Sequence, residues 1–243
     1  MSGLIKKSIK KIFQRLVSNN LTSEEFVSDL RKKGIQIGNK TKFFDPISNV
    51  VDVTRPWMLK IGSYCKITHG VIILAHDYSR SVLRRSHNAI LAEGKDTVLG
   101  DNIFIGMNAI ILAGTHIGNN VIVGAGSVVS GNVPDNVVIA GNPARIIKTM
   151  DEYYLSRKEH NIDEAKNCCR LFYFHYKRFP TVKEMGHFFP LYLNSEEQIK
   201  MHGIDLNWSG DEPNEILQSF LDSDHPYKDF ESFCKDCITD ENA

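Results

Sequence analysis

The chain has 243 residues, 29 Lys and Arg against 29 Asp and Glu, and a formal net charge of zero. That balance gives no general attraction to nucleic acid, and no apolar stretch is long enough to span a bilayer. The basic N-terminus lacks the continuous apolar segment of a signal peptide. Five cysteines, two of them adjacent (Cys168, Cys169), do not make a disulfide framework and point to a reducing cytoplasm.

Residues 1–34 read as two short helices. In the first, Ile5, Ile9, Ile12, Phe13 and Leu16 form an apolar stripe beside Lys6, Lys7, Lys10, Lys11 and Arg15. Such a helix suits packing on its own chain or a neighbouring subunit, and also peripheral contact with an anionic membrane surface. In the second, Thr22 and Glu25 have capping-box spacing and Gly34 marks the end.

From Leu99 to Pro134 the chain repeats every six residues: LGDNIF, IGMNAI, ILAGTH, IGNNVI, VGAGSV, VSGNVP. A helix needs apolar spacings of three and four, and a hairpin sheet has turns at varied intervals. A strict period of six fits one flat face of a parallel β-solenoid: an extended stretch, one aliphatic residue pointing inward (Leu99, Ile105, Ile111, Ile117, Val123, Val129), and a corner at which Gly takes unusual backbone angles. Three faces close a coil, and stacked coils bury an aliphatic column. Ile61, Ile67 and Ile73 continue the pattern upstream, and Ile37 stands four periods before Ile61. These residues define a solenoid over 35–148 in a mainly β fold, with an N-terminal helical segment (1–34) before it. From residue 149 to 243 the repeat ceases, and stretches such as 165–176 and 213–221 have helical spacing, so this region reads as an α-helical appendage.

Between Ile73 and Leu99 the phase breaks, and residues 78–95 read as a polar, basic loop thrown out of the solenoid. His76 stands where the repeat gives way to that loop. An imidazole at such a rim can act as general base toward a hydroxyl attacking a carbonyl, while a turn-capping histidine fits the position equally. Arg84, Arg85 and His87 lie in the loop and suit an anionic or polyhydroxylated acceptor. Asp52 and Trp57 precede the first regular coil. Asp52 reads either as a hydrogen-bonding partner of a sugar hydroxyl or as a turn residue, and Trp57 as a stacking platform. Cys234 and Cys237 have half the spacing of a zinc site and lack its other half, so they read as an amphipathic helix end.

The repeat, His76 ahead of its insertion, and Val138-Ile139-Ala140-Gly141-Asn142-Pro143-Ala144-Arg145 at the solenoid's end together resemble the hexapeptide-repeat acyltransferases. Within them, residues 35–150 are most similar to the maltose and galactoside O-acetyltransferase branch, especially relatives that acetylate capsule and O-antigen sugars. The resemblance implies a left-handed parallel β-helix, a homotrimer with its sites between subunits, and a cytoplasmic enzyme. It further implies acetyl transfer from acetyl-CoA to a sugar hydroxyl with His76 as base. It places Phe104, Met107, Ala125 and Ser130 along the pantetheine arm, and Arg145 and Lys148 at the nucleotide phosphates; Gly131 stands where a Lys is common. No metal is implied: His69, His76 and His116 fall at different places in their blocks, against a three-histidine zinc site. Acetylation of an amino-sugar nitrogen and a non-catalytic scaffold are the alternatives.

Overall fold

A computed structural model describes residues 21–207 and 210–239. The first predicted helix lies outside these residues. The second is α1 (Ser23–Lys32), with Thr22 and Glu25 forming the reciprocal capping box that their spacing predicts. Its buried face, Val27 and Leu30, joins the main core, and Phe26 meets Phe43 edge to face at 4.9 Å. Arg31 donates to the carbonyls of Ile37 (3.0 Å) and Gly38 (2.6 Å), so α1 covers the first coil.

Short strands then follow in threes. The first circuit is β1 (Gln36–Ile37), β2 (Lys42–Phe43) and β3 (Val50–Val51), and the second is β4 (Leu59–Ile61), β5 (Lys66–Ile67) and β6 (Ile72–Ile73). After an insertion carrying helix α2 (Ser81–His87) come β7 (Thr97–Leu99), β8 (Ile103–Ile105) and β9 (Ile110–Ile111). The fourth circuit is β10 (His116–Ile117), β11 (Val121–Val123) and β12 (Val128–Val129), followed by β13 (Asn132–Val133), β14 (Val137–Gly141) and β15 (Ala144–Thr149). Up to β14, consecutive strands fall in successive sheets, giving the orders β1-β4-β7-β10-β13, β2-β5-β8-β11-β14-β15 and β3-β6-β9-β12. All pairings are parallel except β14 with β15.

Two inward positions serve each six-residue block, not one. The leading residues are buried, and so are the fifth ones, Ile103, Ala109, Thr115, Val121 and Ser127. The hydroxyls among them are satisfied: Thr115 donates to the Leu112 carbonyl at 2.6 Å, and Ser127 accepts the Gly141 N–H at 3.1 Å.

The corner chemistry also differs from the expectation. Positive φ falls on the fourth residue of the first five blocks (Asn102, Asn108, Gly114, Asn120, Gly126), where Asn tolerates the left-handed region, and on the third, Gly131, in the sixth. The Asn side chains form a ladder, Asn102 to Asn120 to Asn136, each step 2.9 Å. The glycine in second place serves close approach instead. A Cβ on Gly106 would stand 2.5 Å from the Ala125 nitrogen of the next coil.

Register departs from the bare count as well. Ile37 pairs directly beside Ile61, so the 24-residue step from one to the other is one coil, lengthened before β3 and again before β4. Leu99 lies 38 residues after Ile61, where the uninterrupted coil from Leu99 to Ile117 takes 18. The circuit from Ile117 to Val133 takes only 16 because β13 follows β12 early, so the last sequence block is not a full face.

Helix α3 (Met150–Tyr176) begins earlier than its hydrophobic spacing indicates, because Thr149 and Glu152 form a second capping box. The second compact unit starts at Tyr154 and has its own core. It includes α4 (Glu196–His202), α5 (Pro213–Leu221) and α6 (Phe230–Thr239). Tyr192 packs against Phe230 and Phe233, and its hydroxyl donates to the Met185 carbonyl at 2.8 Å. Cys234 and Cys237 lie on the buried side of α6 in the same core as Cys169. No helix among the described residues is long and apolar enough to cross a membrane.

The glycine reading predicts that Gly106→Ala destabilises the protein by about 1–3 kcal/mol through forced coil separation. Urea unfolding measures this, and an unchanged midpoint would refute the close-approach role.

Candidate functional site

β3 and β6 are neighbours, with Val51 paired to Ile73, and both chains leave the sheet at the same corner. Asp52 follows β3 and its N–H donates to the Ile73 carbonyl at 2.9 Å. Its carboxylate reaches across to accept the Ala75 N–H at 3.0 Å and pairs with Nδ1 of His76. The other carboxylate oxygen accepts the Thr54 N–H at 2.9 Å and the Thr54 hydroxyl at 2.6 Å. Thr54 Oγ1 also stands 2.9 Å from His76 Nδ1. The side chain of Asp52 is 6% exposed and that of His76 17%.

This network fixes a tautomer. The carboxylate only accepts, and Thr54 has committed its single proton to that carboxylate, so both neighbours of Nδ1 require a proton from it. In the neutral ring the lone pair then sits on Nε2, which has no hydrogen-bond partner among the described residues. Burial pushes Asp52 up, but hydrogen bonds from Thr54, His76 and Ala75 outweigh it and bring the pKa down to about 2.

His76 opens on a cavity of about 360 Å³ walled by Arg55, Tyr78, Arg84, Leu91 and Glu93. Tyr78 packs edge to face on the imidazole at 5.0 Å. The insertion, expected as a loop, contains α2 and is strapped at its base. Arg80 pairs with Glu93 and with Asp77, Lys95 pairs with Glu93 at 3.3 Å, and Arg55 donates to the Glu93 carbonyl at 2.7 Å.

The residues singled out from sequence separate into two groups. His76, Asp52 and Arg84 gather at the corner after the third sheet, and Ser130 follows β12 at that same corner two coils on. Phe104, Ile122, Val138 and Lys148 form one row across the second sheet, in register strand by strand. Met107 and Ala125 share the next corner, where the Gly126 N–H donates to the Met107 carbonyl at 2.8 Å, and Arg145 is exposed on β15. Trp57 is 76% exposed in a 3-10 turn (Pro56–Met58) and does not line the cavity, and neither does Arg85. His69, His76 and His116 pair with three different carboxylates, Asp45, Asp52 and Asp96. Glu93 escaped the sequence reading. Thr54 and Arg55 fell within its segment before the first regular coil, similar to one whose polar residues face the acceptor, without a role of their own, although Asp52-x-Thr54 is a turn signal that could have given Thr54 one.

The family model for the bacterial transferase hexapeptide (six repeats) matches residues 96–131. Protein CapG of Staphylococcus aureus is 41% identical over 145 residues, which are 60% of this chain and 81% of CapG. YvoF of Bacillus subtilis (strain 168) is 34% identical over 49% of this chain and 62% of its own length. Among solved structures, a maltose O-acetyltransferase from Clostridium difficile 630 shares 29% identity over 61% of this chain and 89% of that chain, with a TM-score of 0.37. The chain belongs to the hexapeptide-repeat acyltransferase family, a class of enzymes.

Because the folded-state pKa of Asp52 lies below its usual 3.8, its stabilisation is complete above about pH 4 and is lost as pH falls toward about 2. Urea midpoints across that window are expected to fall more steeply for the wild type than for Asp52→Asn. Parallel slopes would count against the network.

Proposed function

We propose that the protein transfers acetyl from acetyl-CoA to a sugar hydroxyl, in the making of a surface polysaccharide, with His76 as general base. The observation that carries this reading is an imidazole anchored through Nδ1 in the wall of an open cavity, with no hydrogen-bond partner for Nε2 among the described residues. Nε2 takes the proton from the acceptor hydroxyl as its oxygen attacks the thioester carbonyl. The carbon–sulfur bond breaks on collapse of the tetrahedral intermediate, and the imidazolium returns its proton to the leaving thiolate. Asp52 faces that imidazolium with its carboxylate, and a backbone N–H of a facing coil stabilises the oxyanion. No covalent intermediate on the enzyme is required.

The donor side of the site lies on the row through Phe104 and Lys148 and at the corner of Met107 and Ala125. Arg145 and Lys148 suit the nucleotide phosphates, and Ser130 suits the pantetheine arm. Within one chain Phe104, Met107, Ala125 and Lys148 stand on a different sheet and corner from His76, while Ser130 shares the His76 corner two coils on. A homotrimer of left-handed β-helices in the cytoplasm would bring the donor side of one copy to the base of the next. The separation of the two groups in one chain supports such an assembly.

His76→Ala is expected to lower CoA-thiol release by about 10²- to 10⁴-fold while thermal shift still registers CoA. Thr54→Val should lower kcat by roughly tenfold with little change in KM, with Thr54→Ser restoring most of it. Retained turnover in His76→Ala would overturn the assignment.

A further inference from the structure

The cavity beside His76 holds more positive charge than the chain itself compensates. Its two carboxylates, Asp77 and Glu93, are matched by Arg80 and Lys95 across the strap. Two guanidinium groups remain. Arg55 is half-buried, and the partner found for it is a neutral one, the Glu93 carbonyl at 2.7 Å. Arg84 is exposed on α2, faces the same cavity, and has no hydrogen bond or ion pair among the described residues. Holding a cation partly out of water without a counter-charge is unfavourable, so this arrangement favours an anion from outside.

We propose that the acceptor carries an oxyanion, a carboxylate or a phosphate, that Arg84 and Arg55 hold while the acceptor hydroxyl meets His76. Guanidinium groups match both oxyanions through paired N–H donors. Ile90 and Leu91, both exposed and lining the cavity, offer an apolar surface to the C–H face of a sugar ring. The substrate class is then an acidic or phosphate-linked sugar, not a neutral one. The proposal rests on the acyl-transfer reading for the hydroxyl's fate, whereas the charge complementarity is independent of catalysis.

Calorimetric titration of the full chain, with CoA present at saturation, tests it using glucuronic acid, UDP-glucose and glucose. One of the two anionic probes should bind at least about tenfold more tightly than glucose, and which one does so separates a carboxylate from a phosphate source. Arg84→Gln should erase that margin and leave CoA affinity unchanged, Arg55→Lys should reduce it, and added salt should narrow it in the wild type. Equal binding of all three probes, or of none, overturns the proposal. So does an Arg84→Gln variant that keeps the margin, or one that loses affinity for CoA instead. Charge-dependent binding, followed by no acetyl transfer to the bound probe when acetyl-CoA replaces CoA, would defeat the acyl-transfer reading and leave this inference standing.

Discussion

Each coil must settle one strand spacing, about 4.8 Å, above the last, and every other feature of the first unit depends on meeting that distance. At this separation parallel strands complete each other's backbone hydrogen bonds, and like side chains stack on like. Leu99 sits over Ile61 and under Ile117, Ile105 over Ile67 and under Val123. The corners are the tightest part of the arrangement, which is why a glycine stands where the next coil's backbone would meet a Cβ. The Asn ladder relieves the same corners in another way, since each Asn turns the chain and also bonds to its counterpart above.

The inward column of the stack takes aliphatic and small side chains, with the buried Cys65 thiol among them, and the carboxylate–imidazole pair stands instead where a coil is lengthened. Extra residues before β4 let Asp52 and Thr54 leave the sheet, and the insertion after β6 releases His76 beside them. Adjacent strands hold the two departures one spacing apart, which is the reach of a carboxylate to an imidazole. The rigid lattice therefore sets the geometry of the pair, while Arg80, Glu93 and Arg55 fix the insertion that walls the cavity.

Much of the fold was legible because the solenoid is a local code: one inward aliphatic residue in each block announces the period. The role of the second-place glycine was not legible, because its reason lies a full coil away at Ala125. The shortened final circuit was hidden for a similar reason, since Val129 and Val133 keep the sequence pattern while β13 arrives early. His76 was visible as a residue at a break in phase. Its partnership with Asp52 was not, since 24 positions separate the two and only the pairing of β3 with β6 shows them to be neighbours. The early start of α3 was written in Thr149 and Glu152, a signal that hydrophobic spacing ignores.

A parallel stack exposes unpaired strand edges at both ends, and this chain covers part of each. At the first coil, α1 lays its apolar face over β1 and β2 and Arg31 takes up two carbonyls. At the last, β15 turns back antiparallel along β14. The number of coils between two such ends is free to change. A whole circuit could be gained or lost between these two covers without disturbing either, and the corner holding His76 would stay as it is.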